Sequence, residues 1–186
     1  ASHLVRTLIY LSKHYGYRIN IIITTRNMAR TAEKYALEKA QFPQLSVIEW
    51  DLTNRKNIED DISFVIHAAS AASPIAFNAD PASAIVPNTV GSINLFSSIR
   101  SSHIENFLYV STSGVYGFLP DDQRPNKENV FGSLDPALPE SVYLESKRMG
   151  ETISLAWGKK FEVPVTIVRP SISYGPGINF TDGRSF

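Results

Sequence analysis

The sequence predicts an α/β fold, a doubly wound parallel sheet, and three observations carry that prediction. Strand-sized β-branched runs alternate with helical periodicities along the whole chain. Residues with chemical function cluster at the carboxyl ends of those runs: Thr24–Asn27, Asp51, His67–Ser70, Ser111–Ser113 and Ser171–Pro176. Finally, 186 residues with 43% hydrophobic content are enough to bury one good core. Strands alternating with helices imply right-handed crossovers and one parallel sheet, which binds ligands where its strand order reverses.

The elements follow in order. Residues 2–15 place apolar side chains at Leu4, Leu8, Leu11 and Tyr15, a helical stripe that stops at Gly16. Ile19–Thr25 is apolar on both parities at its centre, as a strand buried on both faces should be. Residues 28–40 read as a polar helix, Leu45–Trp50 as a short strand and Ile62–Ala68 as another. Pro81 opens a helix to about Ser102, with Pro87 an obstacle within it. Asn106–Ser111 is a strand, 118–140 a long polar loop, and 141–161 a helix with Val142, Met149, Ile153 and Ala156 on its packed face. Val163–Arg169 is the last strand.

Composition removes several classes of function. Eighteen basic residues balance 18 acidic ones, without a basic block, so neither nucleic acid nor an anionic membrane is an expected partner. Zero cysteines excludes disulfides and thiolate metal sites, and fits a reducing, cytoplasmic setting. His3, His14, His67 and His103 have no metal-ligand spacing, so no metal is expected. No apolar run has the length of a transmembrane helix.

The stretch Val110-Ser-Thr-Ser-Gly-Val-Tyr-Gly117, with Tyr143-Leu-Glu-Ser-Lys147 downstream, carries the chemistry. A strand ending in hydroxyls and a helix carrying Tyr and Lys one turn apart can assemble a Ser/Thr–Tyr–Lys proton-transfer site. The Lys ammonium favours tyrosinate, so the Tyr acts as a base well below its unperturbed pKa of about 10. Spacing alone is weak, because Tyr35 and Lys39 share it. No hydroxyl-rich strand precedes that second pair, which reads as a solvated helix face.

Together with Ala1–Arg6, Asp51-Leu52, His67-Ala-Ala-Ser70, Asn88–Leu95 and Arg169-Pro-Ser-Ile-Ser-Tyr-Gly-Pro176, these motifs resemble the extended short-chain dehydrogenase/reductase family. That family comprises nucleotide-sugar epimerases, dehydratases and decarboxylases. The texture of Asp135-Pro136, Pro139, Lys147-Arg148, Glu151-Thr152 and Asp182-Gly-Arg184 is most similar to UDP-glucuronate decarboxylases. The resemblance implies a Rossmann-like domain over residues 1–174, with 175–186 beginning a substrate-binding region. It also implies that the chain starts inside the glycine motif that holds the cofactor pyrophosphate. On that alignment the first strand and most of the substrate domain are missing.

The resemblance assigns roles residue by residue. Thr112, Tyr143 and Lys147 would be catalytic, with Tyr143 as acid/base and Lys147 lowering its pKa and binding the nicotinamide ribose. Asp51, with Leu52 beside it, aligns with an adenine contact, and a helix N-cap stays open as its alternative. His67, Ala68 and Ala69 would let the dinucleotide approach closely, although a core histidine is the competing reading. Asn88 would anchor backbone near the active site, or be an ordinary helix residue. Arg26 follows the second strand of the family pattern where no acid is present, which favours the 2′-phosphate of NADP. The nucleotide-sugar family favours tightly held NAD, so NAD is placed first and NADP second.

One departure bears on the reaction. Decarboxylases and 4,6-dehydratases of this family carry Glu just before Val-Tyr-Gly, where this chain has Gly114. The expectation is therefore oxidation of a nucleotide sugar at C4, with epimerisation. Decarboxylation or 4,6-dehydration with a different carboxylate comes second, and a non-catalytic dinucleotide-binding sensor is the alternative of another class. Pairing into a homodimer through the helices near 81–102 and 141–161 is also implied.

Overall fold

In the computed structural model the described residues are 2–70, 79–99, 103–123, 125–171, 173 and 175. They fall into two compact units, residues 1–54 and 55–186. The expected substrate-binding segment beyond Gly175 and half of Ser171–Pro176 lie outside the described residues.

In the first unit, α1 (Ser2–Tyr15) precedes β1 (Ile21–Thr25), α2 (Met28–Lys34), α3 (Ala36–Gln41) and β2 (Leu45–Glu49). The strands pair in parallel, from Ile21 against Leu45 to Thr25 against Glu49. The α1 stripe is turned from the expected one: Val5 and Ile9 are buried, whereas Leu4 and Tyr15 are exposed. Gly16 ends the helix with φ 73°, a conformation that costs glycine little. The expected helix over 28–40 is interrupted at Tyr35, whose φ of −113° breaks the helical path. Its side chain explains the break. Far from being solvated, Tyr35 packs into the core with Val5, Ile9, Ile21, Phe42 and Leu45. Hydrogen bonds from Tyr35 N–H to Thr31 O at 3.1 Å and from Lys39 N–H to Tyr35 O at 2.8 Å continue across the break.

The second unit contains β3 (Phe64–His67), α4 (Ala82–Asn88), α5 (Val90–Ile99), β4 (Asn106–Val110), α6 (Pro139–Phe161) and β5 (Val165–Val168). Its three strands are parallel in the order β3-β4-β5. The described strands thus form one parallel ladder in each unit. The expected helix from Pro81 is divided at Thr89, two residues after Pro87, which lies inside the first of the two segments. Strand alternation buries Val65, His67, Phe107 and Tyr109, with Phe96 of α5 stacked on Phe107 at 4.1 Å. Phe64, Ile66 and Val168, at alternate positions, are exposed.

Helix α6 starts at Pro139, with proline at its first turn, and ends at Glu162 in a left-handed conformation (φ 57°). Val163 N–H then bonds back to Gly158 O at 2.9 Å, which turns the chain into β5. The packed face of this helix differs from the apolar stripe that the periodicity predicts. Ile153 is buried, but Met149 and Ala156 are exposed and Val142 is half-buried. Ser141, Ser146, Lys147, Gly150, Glu151, Ser154 and Gly158 are buried instead. Small residues let α6 approach closely: a Cβ on Gly150 would overlap the Tyr109 hydroxyl and lie 2.9 Å from Asn88 O. No helix among the described residues is long and apolar enough to cross a membrane.

Candidate active site

Strand β4 delivers the hydroxyl-bearing segment, and its pairing with β5 continues past the strand proper. Ser111 N–H bonds Val168 O at 2.8 Å and Ser113 N–H bonds Pro170 O at 2.9 Å. Thr112, extended at φ −154°, caps the 3-10 turn Ser113–Tyr116, with its Oγ1 accepting from Gly114 N–H at 3.3 Å. That length marks a weak bond, so the hydroxyl keeps capacity for another partner.

Helix α6 meets this segment on either side of Thr112. Lys147 Nζ donates to Val110 O at 2.7 Å, and Leu144 packs so closely on Gly114 that a Cβ there would force it aside. The turn carrying Tyr143 is therefore held against the strand end that carries Thr112. Arg148 adds two anchors, to Val115 O at 2.8 Å and Gly132 O at 2.9 Å, which pin the polar loop. That loop is less irregular than expected: Phe118 bridges Ser133, and Asp121–Gln123 forms a 3-10 turn.

Lys147 is only 3% exposed, and burial lowers its pKa to about 8, with the Glu151 charge opposing the shift. Its ammonium also lies 5.0 Å from the centre of the Tyr109 ring. Burial, followed by the charges of Tyr143 and Glu151, pushes the Tyr109 phenol upward. His67 is 2% exposed, and its pKa falls to about 3, through burial first and the Lys147 charge second. Its Nε2 lies 3.0 Å from Ser92 Oγ, which itself donates to Asn88 O at 2.7 Å. A neutral His67 therefore donates from Nε2. Asn88, fully buried, donates from Nδ2 to Ala84 O at 3.0 Å and to Ser146 Oγ at 2.9 Å. It braces the residue next to Lys147. Ala68 and Ala69 follow His67 at the end of β3, Ala68 half-buried and Ala69 exposed.

In the first unit, Arg26 and Asp51 follow the carboxyl ends of the paired strands β1 and β2. Asp51 Oδ1 accepts from Thr53 N–H at 2.9 Å; this bond, aided by the Arg26 charge, holds its carboxyl below the usual range. Arg26 is exposed and Leu52 is buried.

A network that sequence reasoning did not single out lies below the strand end. Arg169 grips Glu151 with both arms of its guanidinium, at 2.9 and 2.7 Å, while Ser111 Oγ donates to Glu151 Oε1 at 2.5 Å. Arg169 also reaches Tyr116 OH at 3.3 Å and Glu128 O at 3.0 Å. The available signal was positional: Glu151 is one helical turn after Lys147, and Arg169 ends the last strand.

The residues present fit a dinucleotide. Lys147 has three N–H donors and one acceptor among the described residues, and Ser70 Oγ, at the end of β3, is buried without a described partner. Among the described residues no group of His and carboxylates could hold a metal ion.

Parallel strands with a Tyr–Lys helix under a hydroxyl-bearing strand end define a short-chain dehydrogenase/reductase type of fold and site. The sequence pattern of the NAD dependent epimerase/dehydratase family matches residues 1–185, and the chain belongs to that family. UDP-glucuronic acid decarboxylase 5 of Arabidopsis thaliana is 32% identical over 184 residues, 98% of this chain and 50% of the relative. The chain thus spans about half the length of the curated relatives it matches. Among solved structures, UDP-glucuronic acid 4-epimerase from Bacillus cereus in complex with NAD superposes with a TM-score of 0.69 at 23% identity, over 94% of this chain and 53% of that one. RMD from Pseudomonas aeruginosa complexed with NADPH gives 0.63 at 24% identity, over 86% of this chain and 57% of that one. At these identities the superpositions show the shared fold.

Proposed function

We propose that the protein is an NAD-dependent nucleotide-sugar enzyme that oxidises the sugar C4 hydroxyl to a 4-keto intermediate. The observation that carries this reading is the buried Lys147 ammonium, held on Val110 O at 2.7 Å one turn from Tyr143. A cation there favours the tyrosinate, so Tyr143 takes the C4 hydroxyl proton while Thr112 Oγ1 shares the substrate oxygen's hydrogen bond. The chemistry that a bound nicotinamide supplies is acceptance of the C4 hydride. Lys147 would hold the adjoining ribose with its remaining N–H groups. Ala68 and Ala69 would allow close approach of the dinucleotide behind His67 and Asn88, and Arg26, Asp51 and Leu52 would receive its adenosine end. NAD comes first because the family is NAD-dependent, and NADP stays second on the strength of Arg26.

Epimerisation is the first outcome for the 4-keto sugar, because Gly114 supplies no carboxylate for elimination. Decarboxylation is a second reading, favoured by the UDP-glucuronic acid decarboxylase relatives. In a 4-keto hexuronate the C6 carboxylate is β to the ketone, so carbon dioxide leaves without a protein carboxylate. The exposed apolar side chains Ile85, Val90, Met149 and Leu155 support pairing of two copies through α4, α5 and α6. A cytoplasmic location fits the absence of cysteine.

The test is turnover of UDP-glucuronate and UDP-glucose, with hydride transfer and products followed separately. Tyr143→Phe is expected to reduce hydride transfer by about 10²–10⁴-fold and to leave dinucleotide binding nearly intact. Residual activity above about a tenth rejects Tyr143 as the base. Dinucleotide binding without hydride transfer in the parent protein would select the sensor reading instead.

A further inference from the structure

Glu151 enters no step of the proposed chemistry, yet it is 7% exposed and lies one helical turn beyond Lys147. Two elements fix its carboxylate. Arg169, after β5, takes both oxygens, and Ser111, next to Thr112 on the β4 end, donates to one of them. The same α6 face sends Lys147 to Val110 O, the carbonyl just before Ser111. Two consecutive residues of the strand are therefore tied to two consecutive turns of the helix by groups of opposite charge. We propose that Glu151 is a positioning residue of this site, clamping the strand end under Thr112 and keeping the buried Lys147 ammonium charged.

The proposal rests on the reading of Tyr143 and Lys147 as the proton-transfer pair. Among the described residues, the groups that face Lys147 can be named. Glu151 and Tyr143 come from its own helix, Tyr109 from β4 lies with its ring 5.0 Å away, and His67 from β3 feels the Lys147 charge. Helices α4 and α5 bring no titratable residue, and the 3-10 turn brings Tyr116, which is engaged by Arg169. Glu151 is the one carboxylate in that set, and its charge works against the burial that depresses Lys147. Arg169 pairs with Glu151 at 2.7 Å, while the charge acting on Lys147 against its burial is that of Glu151.

The charge role and a merely structural one predict opposite signs. With lysine side chains labelled with 13C, NMR titration of the protein reads Lys147 as the resonance lost in Lys147→Met. Glu151→Gln should move its midpoint down by about one pH unit or more, because burial then acts unopposed. A structural role alone would loosen the site, admit water and move the midpoint up toward about 10.4. An unchanged or raised midpoint overturns the proposal. If Glu151→Gln does not fold, the double variant Glu151→Leu/Arg169→Met removes both charges and refills the space with apolar groups. The midpoint must fall there too, and overturns the proposal otherwise. No dinucleotide or sugar is needed, so this result is separate from the redox reading: a Tyr143→Phe protein that still transfers hydride would defeat that reading without touching the titration.

Discussion

The Lys147 ammonium and the Val110 carbonyl, 2.7 Å apart, join the middle of α6 to the end of β4 inside a region where lysine is costly to bury. Burial lowers its pKa to about 8, with the Glu151 charge opposing the shift. A shift of this size corresponds to roughly 3 kcal/mol against the charged form, at about 1.4 kcal/mol per unit. Removing the side chain strands Val110 O, at a cost of about 1–3 kcal/mol. Lys147→Met is therefore expected to leave the thermal midpoint at pH 7 unchanged or raised, while hydride transfer is lost. A clear fall in midpoint would show that Lys147 is held for stability.

Thr112 has two roles that one pair of variants separates. Its hydroxyl weakly caps the 3-10 turn, and in the proposed function it would also hydrogen-bond the substrate oxygen. Thr112→Ser keeps both functions and should retain most activity. Thr112→Val loses both: about 1 kcal/mol of stability from the cap, and about 10²-fold in rate. A Val variant with the parent rate would reduce Thr112 to a cap.

Acid should unfold the protein partly through His67. The folded pKa of about 3 lies below the ordinary 6.5, so the folded state resists a proton that the unfolded chain accepts. Stability from this group is complete above pH 6.5 and is lost as pH falls through 6.5 toward about 3. At pH 4 the loss amounts to roughly 3 kcal/mol. His67→Gln should flatten the dependence of the unfolding free energy on pH between 6.5 and 4, measured by denaturant titration at each pH. An unchanged slope would mean that other groups dominate.

Gly150 lies where α6 packs on β4 and α4, and a Cβ there would meet the Tyr109 hydroxyl and Asn88 O. Gly150→Ala should gain helix propensity yet destabilise the protein by about 1–3 kcal/mol through overpacking. Thermal melting checks the sign. A stabilised variant would show that the helix has room to move.

Arg26 tests cofactor choice. It is exposed and within the electrostatic reach of Asp51. Arg26→Ala should weaken NADP binding by about tenfold or more and leave NAD nearly unchanged, because only NADP offers a 2′-phosphate to pair. Equal effects on both, read by calorimetric titration, would return Arg26 to the solvent.

The order of strands and helices was legible because a β-branched run and a helical period each write a local signal. Thr112, Tyr143 and Lys147 were legible for a related reason: a hydroxyl-bearing strand end and a Tyr–Lys turn are short-range patterns. Tyr35 shows where such reading stops. A tyrosine among polar residues is read as solvated, and only the position of α1 and β1 around it reveals a core side chain. The α6 face failed similarly, since Met149 and Ala156 look like core and Ser146, Gly150 and Ser154 do not.

The sequence by itself determined the parallel α/β class, the element order, the candidate residues Thr112, Tyr143 and Lys147, and the lack of any thiolate site. Tertiary structure decided which helix faces are buried, where the long helices break, and that Glu151 and Arg169 meet beneath Ser111. The physical reason is range. Periodicity and capping act within a few residues, whereas close approach at Gly150 and the ion pair between α6 and the end of β5 depend on partners far apart in sequence. Those partners become neighbours only when β4 and β5 align.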